Sequence, residues 1–136
     1  MIHRFLNLAI FHWIAFTFWL ALLFVLSGLP GEAAPQHLFP HQDKVLHFVF
    51  YLGGAAVLTA ALSSTWPLPR FMGILLAVLL LAICGAADEY RQQFTPSRSG
   101  MDPLDWSADI AGALAGAVIL TRMKSLYGLP VPKPQK

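Results

Sequence analysis

The chain has 136 residues, of which 57% are hydrophobic and only 12% charged, with a formal net charge of +2. A soluble domain carries about a quarter charged residues, and a core of this size cannot hide so much apolar surface from water, so the composition calls for lipid as solvent. The cations form no stripe with interleaved aromatics, which leaves nucleic-acid binding without support, and a lone Cys84 excludes an intramolecular disulfide or a thiolate metal cage.

Residues 5–26 form an apolar run of membrane length, interrupted only by Asn7, His12 and Thr17, with Trp13 and Trp19 well inside it. Arg4 before the run and the small residues Gly31, Ala33 and Ala34 after it have the look of a secretory signal. The apolar core of a signal is only about 7–15 residues, so a retained first helix is expected. Residues 27–42 carry Gly28, Pro30, Gly31, Pro35 and Pro40 and read as an irregular connection. Asp43 is placed to cap a second helix over 44–62, and residues 63–69 read as a short link in which Pro67 and Pro69 prepare the next helix. That third helix is expected over 70–93, followed by an irregular loop at 95–101.

The fourth helix, over 103–123, has a clear start: Asp102 as N-cap, Pro103 at the first helical position and Asp105 as an acid in the first turn. Asp109 interrupts its apolar stretch. An acid near the centre of a lipid-facing helix costs about 2.5–3.5 kcal/mol on insertion scales, so this helix is expected inside the bundle with Asp109 facing protein. Gly112 and Gly116 form a small-residue pair among alanines, which allows close helix approach and offers a homo-oligomer contact. Residues 128–136, with Pro130, Pro132 and Pro134, read as a disordered or extended tail. The fold expected is a single all-α domain over 1–127, a four-helix transmembrane bundle.

The distribution of Lys and Arg gives an orientation. Arg4 precedes the first helix, Arg70 lies at the second link, and Arg122, Lys124, Lys133 and Lys136 follow or end the fourth helix. The first connection has only Lys44 at its edge, and Arg91 and Arg98 sit among Asp88, Glu89, Asp102 and Asp105. The positive-inside rule then places both termini in the cytoplasm and the first and third connections outside. Polar stripes gather at that outer end. Asp43, His47 and Tyr51 share a face of helix two at spacing i, i+4, i+8; Asp88 and Gln92 share a face of helix three with Glu89 beside them; Asp102, Asp105 and Asp109 follow i, i+3, i+7 on helix four. Arg98 and Ser99 lie in the connecting loop above the same region.

These residues also carry a resemblance. The segments Asp43-Lys44-Val45-Leu46-His47-Phe48 with Tyr51, then Asp88-Glu89 through Gln92, Phe94, Pro96 and Arg98, then Asp105, Asp109 and Gly112 are similar to the motifs of the VanZ-like family, named for an accessory protein of teicoplanin resistance. In pattern form they read D-K-x-x-H-F-x-x-Y, D-E-x-x-Q-x-F-x-P-x-R and D-x-x-x-N/D-x-x-G. The chain departs from the pattern at Asp109, where the family more commonly has Asn and where this chain adds a negative charge. The resemblance implies a small multi-pass protein of the bacterial inner membrane, linked to the cell envelope, and supplies no settled reaction.

Each residue of the outer end has more than one use. His47 is a ligand or general acid–base candidate near neutrality, or a buried His bonded to a neighbouring acid. Asp88 and Glu89 are a catalytic pair, or salt-bridge partners of Arg91, Arg98 or Lys44. Asp102 and Asp105 are explained as cap and first-turn acid. Asp109 lies too deep for capping and is expected to pair with Arg98, Lys44 or His47. Arg98 either clamps a phosphate or carboxylate or serves as counter-ion to the acids, while Tyr51 and Gln92 orient their neighbours by hydrogen bonds. The readings that follow are an accessory envelope protein binding a lipid-linked head group, a cell-wall precursor or a glycopeptide; a membrane-embedded hydrolase or transferase on phospholipid or isoprenoid-linked head groups, with the acids and His47 holding a divalent ion; and transport, ranked last because no inverted repeat is evident. A purely structural staple between helices is the remaining use of the cluster.

Overall fold

The computed structural model describes the backbone of residues 2–33 and 38–126, and the side chains of 8–33 and 38–126; the tail expected at 128–136 lies outside these residues. Four α-helices follow one another: α1 Ile2–Ser27, α2 Gln42–Thr65, α3 Arg70–Gln92 and α4 Pro103–Leu126, with one 3₁₀ turn at Gly31–Ala33. There is no strand among the described residues. All four helices are long and apolar enough to cross a membrane, the build of a multi-pass membrane protein.

α1 begins earlier than its sequence reading, at Ile2, and α4 runs on to Leu126, while both ends of α2 differ for local reasons. Asp43 does not cap α2, because the helix already includes Gln42 and the N-cap is His41, whose left-handed backbone (φ 61°) makes no side-chain cap bond. Gln42 instead accepts the Leu38 N–H at 2.7 Å, which draws the entering chain onto the first turn. At the other end α2 runs through the polar residues expected as a link. Ser63, Ser64 and Thr65 each donate a hydroxyl hydrogen bond to the carbonyl four residues back, at 2.7, 2.6 and 2.9 Å, so their polar groups are satisfied on the helix itself. The helix stops only where Trp66 turns extended before Pro67. The start of α4 follows its sequence signal, with Asp102 Oδ1 accepting the Leu104 N–H at 2.8 Å.

Packing is centred on α2, which contacts α1, α3 and α4; its longest seam is with α4, and α1 touches α3 only lightly. Small residues make the α2–α4 seam close. A Cβ at Gly112 would overlap the Phe48 carbonyl oxygen, and one at Gly116 the Leu52 carbonyl oxygen. Ala113 and Ala117 are fully buried beside them. The glycine pair therefore faces α2 of the same chain. Against α1, the Trp19 indole fills the space a side chain at Gly54 would need and donates Nε1–H to the Phe50 carbonyl at 3.1 Å. The outer faces carry Phe11, Ile14, Phe18, Phe71, Ile83 and Leu114, all exposed as lipid-facing residues are.

The chain direction alternates from helix to helix, which sorts the polar groups into two poles. One pole joins His12 to Ser64 at 2.9 Å, Trp13 to Thr65 at 2.8 Å and Lys124 to Ser63 at 2.5 Å. The other joins the end of α1, the start of α2, the end of α3 and the start of α4.

Candidate functional site

All seven acids of the chain fall in the segments of this second pole: Glu32, Asp43, Asp88, Glu89, Asp102, Asp105 and Asp109. The cations there are Lys44, Arg91 and Arg98. Helical spacing puts the acids of α4 and the Asp43–His47–Tyr51 stripe of α2 across the tight glycine seam from one another, so ionisable groups meet at close range by construction.

Lys44 is the hub of the rim. Its Nζ lies 2.8 Å from Asp43 Oδ2, 2.5 Å from Asp102 Oδ2 and 3.0 Å from Asp105 Oδ1. The last is an ion-pair contact without hydrogen-bond alignment, since the same Asp105 oxygen is buried with no hydrogen-bond partner. The Lys44 hydrogen bond, with help from the Leu104 amide, holds the Asp102 carboxyl below the usual carboxylate range. Asp105, which capping alone would leave at the surface, is 4% exposed.

Below the rim, His47 Nδ1 lies 2.9 Å from Asp109 Oδ1, so of the three partners open to Asp109 the fold selects His47. Asp109 is 1% exposed, and its Oδ2 sits 2.7 Å from the position a Cβ on Gly85 would take. Gly85 thus lets α3 close over this carboxylate. Glu89 ties α3 to the start of α4 twice: Oε2 accepts the Asp102 N–H at 2.8 Å and its carbonyl accepts the Met101 N–H at 3.2 Å. Its other oxygen, Oε1, is buried and accepts no hydrogen bond among the described residues. His47, Glu89 and Asp105 each offer a ligating atom within 4.8 Å of those of the other two. Tyr51 differs from its expected orienting role. Its ring meets Trp19 edge-on at 5.4 Å, and its buried hydroxyl has no hydrogen-bond partner among the described residues.

The arginines also differ from expectation. Neither is ion-paired with an acid among the described residues. Arg98 donates Nε–H to the Leu29 carbonyl and Nη2–H to the Leu26 carbonyl, both at 3.1 Å, with a longer 3.4 Å bond from Nη1 to Gln92 Oε1. Arg91 donates to the Phe24 carbonyl at 2.5 Å and to the Ser27 hydroxyl, with its guanidinium 4.0 Å over the Phe24 ring. These carbonyls lie at the end of α1 and just beyond it, where the negative end of the helix dipole draws cations. Asp88 reaches Arg91 only through Ser27, which donates to it, and takes a second bond from Gln92 Nε2 at 2.8 Å. Gln92 thus orients Asp88, in the role expected of it.

Ser27 and Gly85 are the two residues of this site that the sequence reading passes over. Ser27 is the last residue of α1 and the one hydroxyl at that end, a usable signal once the helix is taken one residue further. Gly85 has no distinguishing signal within its apolar run.

A cavity of about 450 Å³ opens at this pole. Leu23, Leu26, Leu46 and Phe50 give it apolar lining, and Asp43, His47, Tyr51, Asp88, Gln92, Arg98, Ser99 and Asp105 give it polar lining. Lys44, Glu89, Asp102 and Asp109 do not line it; Lys44 is ion-paired with Asp43 and Asp105, and Asp109 holds His47, all three of which do. Comparison with known proteins finds no matching family model, no matching curated protein and no matching solved structure.

Proposed function

We propose that the chain is a VanZ-like accessory protein of the bacterial inner membrane that binds the head group of a lipid-linked envelope ligand, or a glycopeptide-type ligand, at its acidic pole. In this reading both termini are cytoplasmic and the pole faces outward. The observation that carries it is the cavity, in which leucine and phenylalanine side chains adjoin ionisable groups at the end of a membrane-length bundle. That mixture suits an amphipathic ligand whose chain lies against α1 and α2 and whose head meets the polar residues. The motifs shared with the VanZ-like pattern support the same reading. Titration of detergent-purified protein with an isoprenyl pyrophosphate, phosphatidylglycerol and a glycopeptide is expected to give saturable binding to one of the three. Gln92→Leu, which removes a hydrogen-bonding group worth about 1–3 kcal/mol when buried, should weaken it about tenfold. No saturable binding to any of them removes the proposal.

A second reading, a hydrolase or transferase on phospholipid or isoprenoid-linked head groups, is favoured by one observation: the imidazole lining the cavity is backed by a buried carboxylate at 2.9 Å. An imidazole oriented in this way can act as general base. Head-group release from the same lipids should then fall by about 10²–10⁴-fold in His47→Gln. Wild-type protein that binds a lipid but releases nothing leaves the accessory role alone.

A further inference from the structure

We infer that the acidic pole is a binding site for a divalent first-row metal ion, ligated by His47, Glu89 and Asp105. The three residues come from α2, α3 and α4, and their ligating atoms lie within 4.8 Å of one another. Ligands on opposite sides of an ion bonded at about 2.0–2.6 Å are about 4–5 Å apart, so one ion fits between them with only small side-chain adjustment.

Proximity of acids would not suffice, and the state of Glu89 supplies the second observation. Its side chain is 3% exposed, one oxygen is held by the Asp102 amide at 2.8 Å, and the other is buried without a donor. An unpartnered buried carboxylate oxygen is expensive, and an ion placed between Glu89, His47 and Asp105 meets that need. The Asp109 oxygen not bonded to His47 is likewise buried without a donor.

The histidine is also set up as a ligand. His47 Nδ1 faces the Asp109 carboxylate at 2.9 Å, an arrangement that suits a proton on Nδ1 and so the tautomer that leaves the Nε2 lone pair free for a metal ion. A carboxylate behind a histidine in this way is the usual support of a metal-ligating imidazole. Finally, the charge is unbalanced. Seven acids face Lys44 and two guanidinium groups that are turned to the carbonyls of α1. Lys44 is the one Lys or Arg ion-paired with an acid among the described residues. One imidazole with two carboxylates suits Mn²⁺ or Zn²⁺ better than Ca²⁺ or Mg²⁺, which prefer oxygen alone.

His47 and Asp105 also line the cavity. A metal ion there would let an acidic pocket accept a phosphate-bearing head group; that consequence rests on the proposed ligand binding, whereas the metal site itself does not.

The test is Mn²⁺ titration of the detergent-purified full chain followed by electron paramagnetic resonance, with no lipid ligand added, so that its failure and failure of ligand binding are read separately. The expected result is one saturable Mn²⁺ per chain with electron-spin-echo modulation from an imidazole nitrogen. Glu89→Gln and Asp105→Asn should weaken binding at least tenfold, and Asp109→Asn about 10–100-fold through the histidine it supports. Glu32→Gln, an acid of the same pole outside the trio, should leave it unchanged. No saturable binding overturns the proposal, as does binding without the nitrogen signal or an equal loss in Glu32→Gln. The nitrogen signal is read on the unsubstituted chain, so a variant that fails to fold does not blunt the test.

Discussion

Replacing Gly116 with leucine is expected to destabilise the bundle by about 3 kcal/mol or more, at the upper end of the about 1–3 kcal/mol typical of overpacking. The excess over an ordinary overpacked site comes from what the new side chain meets. Its Cβ would fall on the Leu52 carbonyl oxygen, with the Ala55 methyl 3.1 Å away. A flexible side chain could rotate aside, but a helix carbonyl cannot, so α2 and α4 must move apart along the seam. Gly112, one turn earlier, meets the Phe48 carbonyl in the same way. Phe48 adjoins His47 and Gly112 lies three residues after Asp109, so separation at this point also pulls the 2.9 Å His47–Asp109 contact apart. Thermal unfolding in detergent should therefore show a large loss for Gly116→Leu and for Gly112→Leu. Ala111→Leu, on the exposed face of the same helix, should change stability little. Equal losses at Ala111 and Gly116 would mean that the seam is not what holds α4.

That seam also marks where sequence reasoning reaches its limit. Helix existence was legible because membrane-length apolar runs have few other solutions, and the 3.6-residue period placed Asp43, His47 and Tyr51 on one face before any partner was known. A period fixes a face and leaves open the helix across from it. The Gly112–Gly116 pair announced a close contact, yet composition reads the same for a contact within the chain and one between copies. Ser63, Ser64 and Thr65 looked like a link because their hydroxyls are polar; their bonds back to the preceding turn, which keep α2 helical, depend on a backbone that does not yet exist in the sequence. Arg98 among acids reads either as a clamp for a phosphate or carboxylate or as counter-ion to the acids, and it is ion-paired with none of them among the described residues. It bonds instead to the Leu26 carbonyl at the end of α1 and the Leu29 carbonyl just beyond it, far away in sequence, where the negative end of the helix dipole draws a cation.

The His47–Asp109 pair gives the second large effect, and here the two partners should not behave alike. In His47→Leu the Asp109 carboxylate, 1% exposed, loses its one hydrogen-bond partner while Oδ2 already has none among the described residues. A buried carboxylate stripped of its partner costs about 3–5 kcal/mol, and proton uptake by Asp109 would relieve it. In Asp109→Leu the imidazole left behind can simply be neutral, with a hydrogen bond lost from a group that still reaches the cavity, so about 1–3 kcal/mol is expected. The double variant His47→Leu/Asp109→Leu removes both polar groups, and its stability should lie well above that of His47→Leu alone. A double-mutant cycle of unfolding free energies in detergent with chelator present, so that no metal ion contributes, isolates the coupling. A double variant equal to the sum of the two single losses would show that Asp109 is held by something other than His47. A double variant more stable than the unsubstituted chain would mean the pair is kept at a cost to stability, which a chain has reason to do where the pair positions an imidazole for chemistry or for a ligand.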